Sequence, residues 1–519
     1  MRNARQRLLL LAALLGTACS DPTDMKGWAE RAASRNRLDE KLSALASART
    51  APGDKRAAVA PLCEVLKQTP RARQQAAVIL GEIGEAGAAE AVPALVGAID
   101  GSGKADREVN DANVAIAAAL GALRARQAVP ALARLARSGD AFTQVAAIDA
   151  LGAVGDAAAV EPLLATVDDE RAEPFAVKKA LLALGRIGDA RAVPTVVRML
   201  FTERPGVTFF PEAAFAASQL GGAMSAPLVA VVEGRDAALA AWAASHDVHP
   251  AALRAKAAQL LGDVGGPEAV PALVGALGYV GDGAEGRLFV RAFAAESLGR
   301  LHASEAVAPL ATALAKEQDP DLRERYLDAL SRIGDPAALP ALRAAAGSGP
   351  AGQREAALKA LSRLGDASDR AQVEAARRAC GPGCPPARAR ALEGMLARLD
   401  AAKACAGAVA CWTGKLADPR AEVRDRAALE VGSAGGAAQV DALSAAITRP
   451  VESDADLEAR FHAVLALELI VRRQPLGAKG LEVAAALDRL LVADKGRALT
   501  GAVDEDALRL AARLRRGAR

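Results

Sequence analysis

Alanine and leucine recur along this chain at three- and four-residue spacing, in short stretches that each run into glycine. A phrase of the form A-x-x-L-G-x-[IV]-G, followed by A-V-P-x-L, starts at Ala76, Ala146, Ala180 and Ala257, and returns in looser form at Ala294, Asp328 and Lys359. Marking the place of its first glycine gives Gly81, Gly121, Gly152, Gly185, Gly221, Gly262, Gly299, Ser331, Ser362, Glu393, Gly432 and Glu468. Successive marks lie 31 to 41 residues apart, a period that suits two short helices and two turns. Alanine and leucine at this spacing make one apolar stripe on the first helix, and alanine lets a neighbouring helix come close. Gly84, Gly155, Gly188, Gly265 and Gly334 then follow that helix, where a positive φ can end it. Pro93, Pro130, Pro194, Pro271 and Pro340 stand where a second helix is predicted to begin, a place at which the missing N–H costs nothing. One such pair cannot bury its stripe alone, so the pairs must stack. The predicted fold is all-α, an α-solenoid of about twelve helix pairs.

Asp418-Pro419-Arg420-Ala421-Glu422-Val423-Arg424, followed by Ala427-Ala428-Leu429 and Gly432, resembles the phrase D-P-x-x-x-V-R-x-x-A-A-x-x-L-G of the HEAT repeats, in particular the short variety also found in phycobilin lyases. The resemblance covers about residues 55 to 500. Eight places before the mark the chain carries Arg73, Arg254, Arg291, Arg323, Arg354, Arg424 and Arg460. The resemblance implies that these arginines bridge neighbouring repeats by hydrogen bonds; the competing reading is a basic stripe for phosphates. The repeats around Glu393 and Glu468 depart from the glycine pattern. The expected division is a signal peptide over 1–18, a partly helical tether over 19–52, the repeat array over 53–505 and a basic cap with a frayed tail over 506–519.

Composition narrows the picture. The chain of 519 residues is 52% hydrophobic but only 3% aromatic, too poor in bulky side chains for a sandwich or barrel. Its 65 basic and 62 acidic side chains leave a net charge of +3, so no global field points to nucleic acid. A mean hydropathy of +0.13 excludes a disordered chain.

The N-terminus adds a compartment. Arg2, Arg5 and Arg7 precede an apolar run from Leu8 to Leu15, and Gly16-Thr17-Ala18 precede Cys19. This is the pattern of a secretory signal, too short to remain as a membrane span. It resembles the bacterial lipoprotein signal, in which such a cysteine becomes the acylated N-terminus, although the usual leucine three places before it is replaced by Gly16. The resemblance implies a lipid anchor on Cys19 in a bacterial membrane, on the periplasmic side or the cell surface. The alternative is an ordinary signal cleaved after Ala18, which would leave a soluble periplasmic or secreted protein.

Candidate chemistry is sparse. Cys63 lies among apolar neighbours and reads as a buried thiol. Cys380, Cys384, Cys405 and Cys411 read as disulfides in an oxidising compartment, with 380–384 and 405–411 favoured by the turn residues between them; all three pairings of four cysteines stay open. A four-cysteine zinc site lacks the C-x-x-C knuckles it would need. His246 and His249 stand one turn apart, but without a third ligand nearby they read as the loop before a helix starting at Pro250. No G-x-S-x-G elbow, P-loop, H-E-x-x-H or dinucleotide fingerprint occurs, and no His-Glu dipeptide of the kind with which HEAT enzymes such as deoxyhypusine hydroxylase hold iron. No metal and no cofactor is expected.

The aromatics are unevenly spread. Nine of fourteen fall between Phe175 and Phe293, several in two insertions, 201–211 and 278–289. Phe209, Phe210, Tyr279 and Phe289 are therefore candidate anchors for a partner on loops beside a concave face, the alternative being that they fill gaps in an alanine-rich core. Phe215 and Phe293 are assigned to the core. The function expected is a non-catalytic scaffold for another protein or peptide, with no nucleic acid and with a membrane reached through Cys19. The rival is an enzyme, lyase-like or a thiol-disulfide redox protein using the cysteines at 380–411.

Overall fold

The computed structural model describes residues 22–101, 106–281, 283–494 and 501–517. These are helical throughout save for turns and one antiparallel pair of two-residue strands, Glu203–Arg204 and Val207–Thr208. The architecture is the α-solenoid that the period predicts. The chain forms two compact units, one running to Val196 and including Glu203–Ala216, the other formed by Val197–Thr202 and the chain from Ala217 onward.

In the first unit the helices Pro70–Ile83, Arg107–Ala122, Ala141–Val154 and Pro174–Ile187 lie side by side as one layer. The glycine mark has a packing cause. A Cβ on Gly81 would stand 3.1 Å from the Ala119 Cα, one on Gly121 3.0 Å from the Ala150 Cα, and one on Gly152 2.8 Å from the Ala183 Cβ. Each repeat thus presents a glycine to the backbone of the next, and successive helices approach more closely than any side chain allows. Asp106 and Asp140 cap two of these helices by accepting from backbone N–H groups, and Gly155 and Gly188 end two in the left-handed conformation at φ 69° and 74°.

The shorter helices Val59–Val65, Ala88–Gly97, Val129–Leu135 and Val160–Asp168 form the other layer. Each is entered through a 3-10 turn, which shifts some helix starts. Pro93 is accordingly inside a helix rather than at its start, because the turn Gly84–Gly87 runs directly into Ala88.

The tether expected over 19–52 needs correcting where it is described. Met25–Ser34 and Leu38–Thr50 are paired helices with Ala29, Ala32, Ala44, Leu45 and Ala48 fully or almost fully buried, and the Met25 N–H donates to the Pro52 carbonyl at 2.9 Å. The alanine face that the sequence suggested only as some helix closes the end of the array. Cys19 lies outside the described residues.

In the second unit a layer of its own is formed by Pro250–Val264, Ala284–Arg300, Pro320–Ile333, Ala351–Leu364, Pro386–Cys405, Ala421–Ala434 and Asp454–Arg473. The same close approach recurs at Gly299, whose Cβ would lie 3.0 Å from the Ala329 Cα, and at Gly432, 3.0 Å from the Ala466 Cα. Ser331 and Ser362 replace the glycine, each buried, with the hydroxyl donating to a carbonyl of its own helix at 2.8 and 2.7 Å.

Two marks were misplaced. Glu393 is exposed and the close contact falls one residue on, at Gly394 against Glu422; Gly221 ends its helix at φ 57° with open space around it. The basic cap expected over 506–519 falls, as far as residue 517, within one packed helix. Gly501–Gly517 is a helix with Ala507, Leu510, Ala511 and Leu514 buried against Asp454–Arg473 and Gly477–Ala493, because its apolar stripe has a surface to meet.

Candidate functional site

Within the second unit the layer of first helices walls a cavity of about 610 Å³. Ala284–Arg300 contributes Glu285, Phe289, Phe293 and Glu296, three and four residues apart and so on one face of the helix. Pro320–Ile333 contributes Asp321, Glu324, Arg325, Asp328 and Arg332 on the same principle. Lys359 and Arg363 come from the next helix, and Glu458, Phe461 and His462 from Asp454–Arg473 across the cavity.

The floor is a closed charge network. Asp425, with no exposure, takes Arg363 Nε at 3.2 Å, Arg398 Nη2 at 2.7 Å and His462 Nδ1 at 2.5 Å. Arg363 also reaches Asp328 and Glu458, both at 2.9 Å, and Lys359 reaches Glu458 at 2.5 Å. Arg332 pairs with Asp328 at 2.9 Å and lies over the Phe461 ring at 5.0 Å. Burial works to raise the Asp425 carboxyl, but the charges of Arg363 and Arg398 and the His462 contact outweigh it and hold the group well below the usual carboxylate range. Burial holds His462 below the ordinary imidazole value, so near neutral pH the ring is uncharged. A neutral ring that donates Nδ1–H to Asp425 leaves Nε2 as an acceptor, and that buried nitrogen has no hydrogen-bond partner.

A second network sits between the C-terminal helix and the start of the same unit. Arg300 Nη1 meets Asp263 at 2.7 Å and Asp506 at 2.8 Å, Arg513 Nη1 meets Glu468 at 2.9 Å, and Arg472 donates to the Asp263 carbonyl at 2.9 Å. Glu468, the residue that broke the glycine pattern, is thus an internal counter-ion.

The aromatic anchors fare unequally. Phe209 is a correction: it is fully buried, with the Arg204 guanidinium over its ring at 5.4 Å, because the small hairpin folds it inward. Phe210 is half-buried at the start of the helix Phe210–Leu220. Tyr279 is half-buried beneath Arg254 at 5.2 Å. Phe289 is 50% exposed and lines the cavity, but from within a helix rather than from the loop expected, since Ala284–Arg300 begins five residues earlier. Phe293 lines the cavity beside it, with ring centroids 6.4 Å apart, and is not wholly core.

The seven arginines of the ladder reach backbone carbonyls in the last turn of an earlier short helix or just after it. Arg73 donates to Leu66 at 3.0 Å, Arg254 to Val232 at 2.5 Å, Arg291 to Tyr279 at 2.9 Å, Arg323 to Leu314 at 2.9 Å, Arg354 to Gly349 at 2.7 Å, Arg424 to Asp418 at 2.9 Å, and Arg460 to Arg449. Each thereby satisfies carbonyls that a helix end leaves open. Arg291, Arg424 and Arg460 also meet Glu317, Asp456 and Asp494, which carries the contact into the following repeat.

Cys380 is bonded to Cys384 and Cys405 to Cys411. Cys63 is buried, and burial together with the Glu90 and Glu64 carboxylates pushes its thiol up to about 11, far from a reactive thiolate. His246 stacks on Trp242 and His249 caps the helix from Pro250, accepting the Ala251 N–H at 3.1 Å. Among the described residues no three His, Cys, Asp or Glu side chains are grouped to hold a metal.

The cavity's acidic wall and the Asp425–His462 pair went unread in the sequence. The wall had a signal, Glu285, Phe289, Phe293 and Glu296 at helical spacing; Asp425 and His462, 37 residues apart, had none.

The HEAT repeat signature matches residues 104–181 and 289–362, and the PBS lyase HEAT-like repeat matches residues 253–279. No curated protein matches the chain. Among solved structures, human deoxyhypusine hydroxylase in complex with glycerol is 22% identical at a TM-score of 0.22, over 56% of this chain and 96% of that one. Kap121p is 12% identical at a TM-score of 0.44, over 90% of this chain, which spans 55% of Kap121p. Yeast importin-beta (Kap95p) is 14% identical at a TM-score of 0.37, over all of this chain and 71% of that one.

Proposed function

We propose that this protein is a non-catalytic scaffold that binds another protein or a peptide, exported and held at a bacterial membrane by lipid on Cys19. The observation that carries the binding reading is the cavity of the second unit, a concave site of about 610 Å³ walled by rigid helices, with a half-exposed phenylalanine on its rim. A large apolar side chain left in water beside a cavity has area to gain from a partner, and helices hold it in place without further ordering cost. The anchor is supported by the arginines, the short apolar run and the small residues before Cys19. The two bonded cysteine pairs suit an oxidising compartment.

A photo-crosslinking residue placed at Phe289 in the membrane-bound protein tests the scaffold reading. One discrete protein adduct is expected from this position, and a residue placed at the more solvent-facing Phe142 should give none. Equal, diffuse labelling from both positions would sink the reading. The anchor is tested by the Cys19→Ser protein, which should lose the acyl mass and leave the membrane fraction. Membrane retention by that variant, with no acyl mass on the native chain, would overturn it.

A further inference from the structure

Counting charge around the cavity separates its floor from its rim. The floor cations Arg332, Lys359 and Arg363 are each committed to Asp328, Glu458 or Asp425 at 2.5 to 3.2 Å. On the rim stand Glu285, Glu296, Asp321 and Glu324, none of them in an ion pair among the described residues, against the one rim cation described there, Arg325. The charge open to a ligand is therefore negative, although the chain as a whole is at +3. Low-dielectric helix walls focus such a field into the cavity.

Two further features select the kind of cation. Phe289 and Phe293 offer ring faces beside the carboxylates, and an aromatic face attracts a guanidinium or ammonium while its edges cover an alkyl stem. Deeper in the wall, His462 Nε2 is buried with no hydrogen-bond partner, its ring fixed by Asp425 at 2.5 Å. An unpaired buried acceptor costs free energy until a donor reaches it.

We infer that this cavity takes an arginine or lysine side chain of a basic peptide segment, with the rim carboxylates holding the charge, Phe289 and Phe293 covering the stem, and His462 Nε2 accepting a hydrogen bond from the donor. This rests on the scaffold reading and narrows its partner to a cationic one. A peptide segment rather than a free small cation fits because the cavity is open at the rim and Phe289, which lines it, keeps half its surface in solvent for flanking backbone to cover.

The test is fluorescence anisotropy on the full-length protein with a labelled glycine-serine peptide carrying two arginines. Its counterparts carry lysine, glutamine or glutamate in those places, and free arginine amide serves as competitor. The arginine and lysine peptides are expected to bind, more weakly as salt rises, while the glutamine and glutamate peptides do not. Arginine amide at the peptide's concentration should displace little. The Glu285→Gln/Glu324→Gln protein and the Phe289→Ala protein should each bind about tenfold more weakly with unchanged melting, since these side chains carry no internal ion pair. The His462 Nε2 resonance in ¹⁵N spectra should shift on adding the arginine peptide, a readout that needs no substitution in the buried network.

Binding of the glutamine peptide as tight as the arginine peptide, arginine-peptide affinity untouched by the rim variants, an unmoved His462 resonance, or displacement by arginine amide alone would each overturn the inference. A Phe289 crosslink that persists when none of the basic peptides binds leaves a scaffold with a non-cationic partner. Basic-peptide binding with no crosslink leaves the cavity assigned and the scaffold reading refuted.

Discussion

The two units obey one packing rule and differ in what they add to it. In the first, helices meet through glycine on alanine, and the ion pairs between repeats are exposed or half-buried: Arg49 with Glu82, and Arg71 with Glu108 at 2.9 Å, are exposed, while Lys179 with Asp149 at 2.9 Å and Lys178 with Glu212 at 3.3 Å are half-buried. In the second the same contacts recur, but buried charges also join residues far apart in sequence. Arg300 meets Asp506 across 206 residues, Arg513 reaches the Asp263 carbonyl across 250, and Arg426 donates to the carbonyls of Ser362 and Gly365 from more than 60 residues away. The first unit is a stack in which each repeat answers to its neighbours, so its stability is close to a sum over adjacent interfaces. The second unit closes on itself, and a defect in its interior reaches repeats that are not adjacent.

The sharpest way to break this comparison is to remove the shared counter-ion. Asp425→Ala leaves Arg363 and Arg398 buried without their carboxylate, and losing one partner of such a network is expected to cost about 3–5 kcal/mol. Urea denaturation gives the magnitude, and hydrogen exchange should show protection falling together in Ala351–Leu364, Pro386–Cys405 and Asp454–Arg473 while Arg107–Ala122 and Ala141–Val154 keep theirs. Loss confined to the helix of residue 425 would contradict the closed second unit.

An effect of about 1–3 kcal/mol is expected from Gly152→Val in the first unit, because the new side chain begins 2.8 Å from Ala183 and must separate two helices. Its exchange signature should stay within the two helices that meet there. Gly97→Val, with open space around the site, makes the control for close approach against simple propensity.

Acid should act on the second unit at the scale of about 1 kcal/mol per pH unit for each buried ring. All four histidines lie there. Burial lowers His302 to about 4 and also lowers His462. The folded rings bind fewer protons than the unfolded ones, so their contribution is full above the unfolded value of about 6.5 and is lost as pH falls toward the folded value. Between pH 7 and pH 5, protection in Ala284–Arg300 and Asp454–Arg473, taken relative to the intrinsic exchange rate at each pH, should fall while that of the first unit stays level. An equal fall in both would refute the assignment. The smallest effect belongs to the exposed pair of the first unit: Glu82→Gln should cost no more than about 0.5 kcal/mol and vanish in high salt.

What the sequence determined was everything that repeats. The period, the helix ends at Gly155 and Gly188, and the glycine mark at Gly81, Gly121 and Gly152 are fixed by contacts within one repeat or with the next, and such contacts leave a phrase that recurs. The arginine ladder is legible for the same reason, since each member finds its carbonyl a few residues to a couple of dozen back in the chain. The tertiary structure alone decided which unit closes, that Phe209 turns into the core while Phe289 stays out, and that Glu285, Glu324 and His462 share one cavity. Those facts depend on small rotations between repeats that accumulate along the array, so residues 37, 206 or 250 positions apart meet with no local pattern to announce it. The two glutamate marks show both cases. Glu393 was a register slip beside Gly394, and Glu468 was a true departure, a carboxylate that pairs with Arg472 one turn along its own helix and gains Arg513 only once the second unit has folded around it.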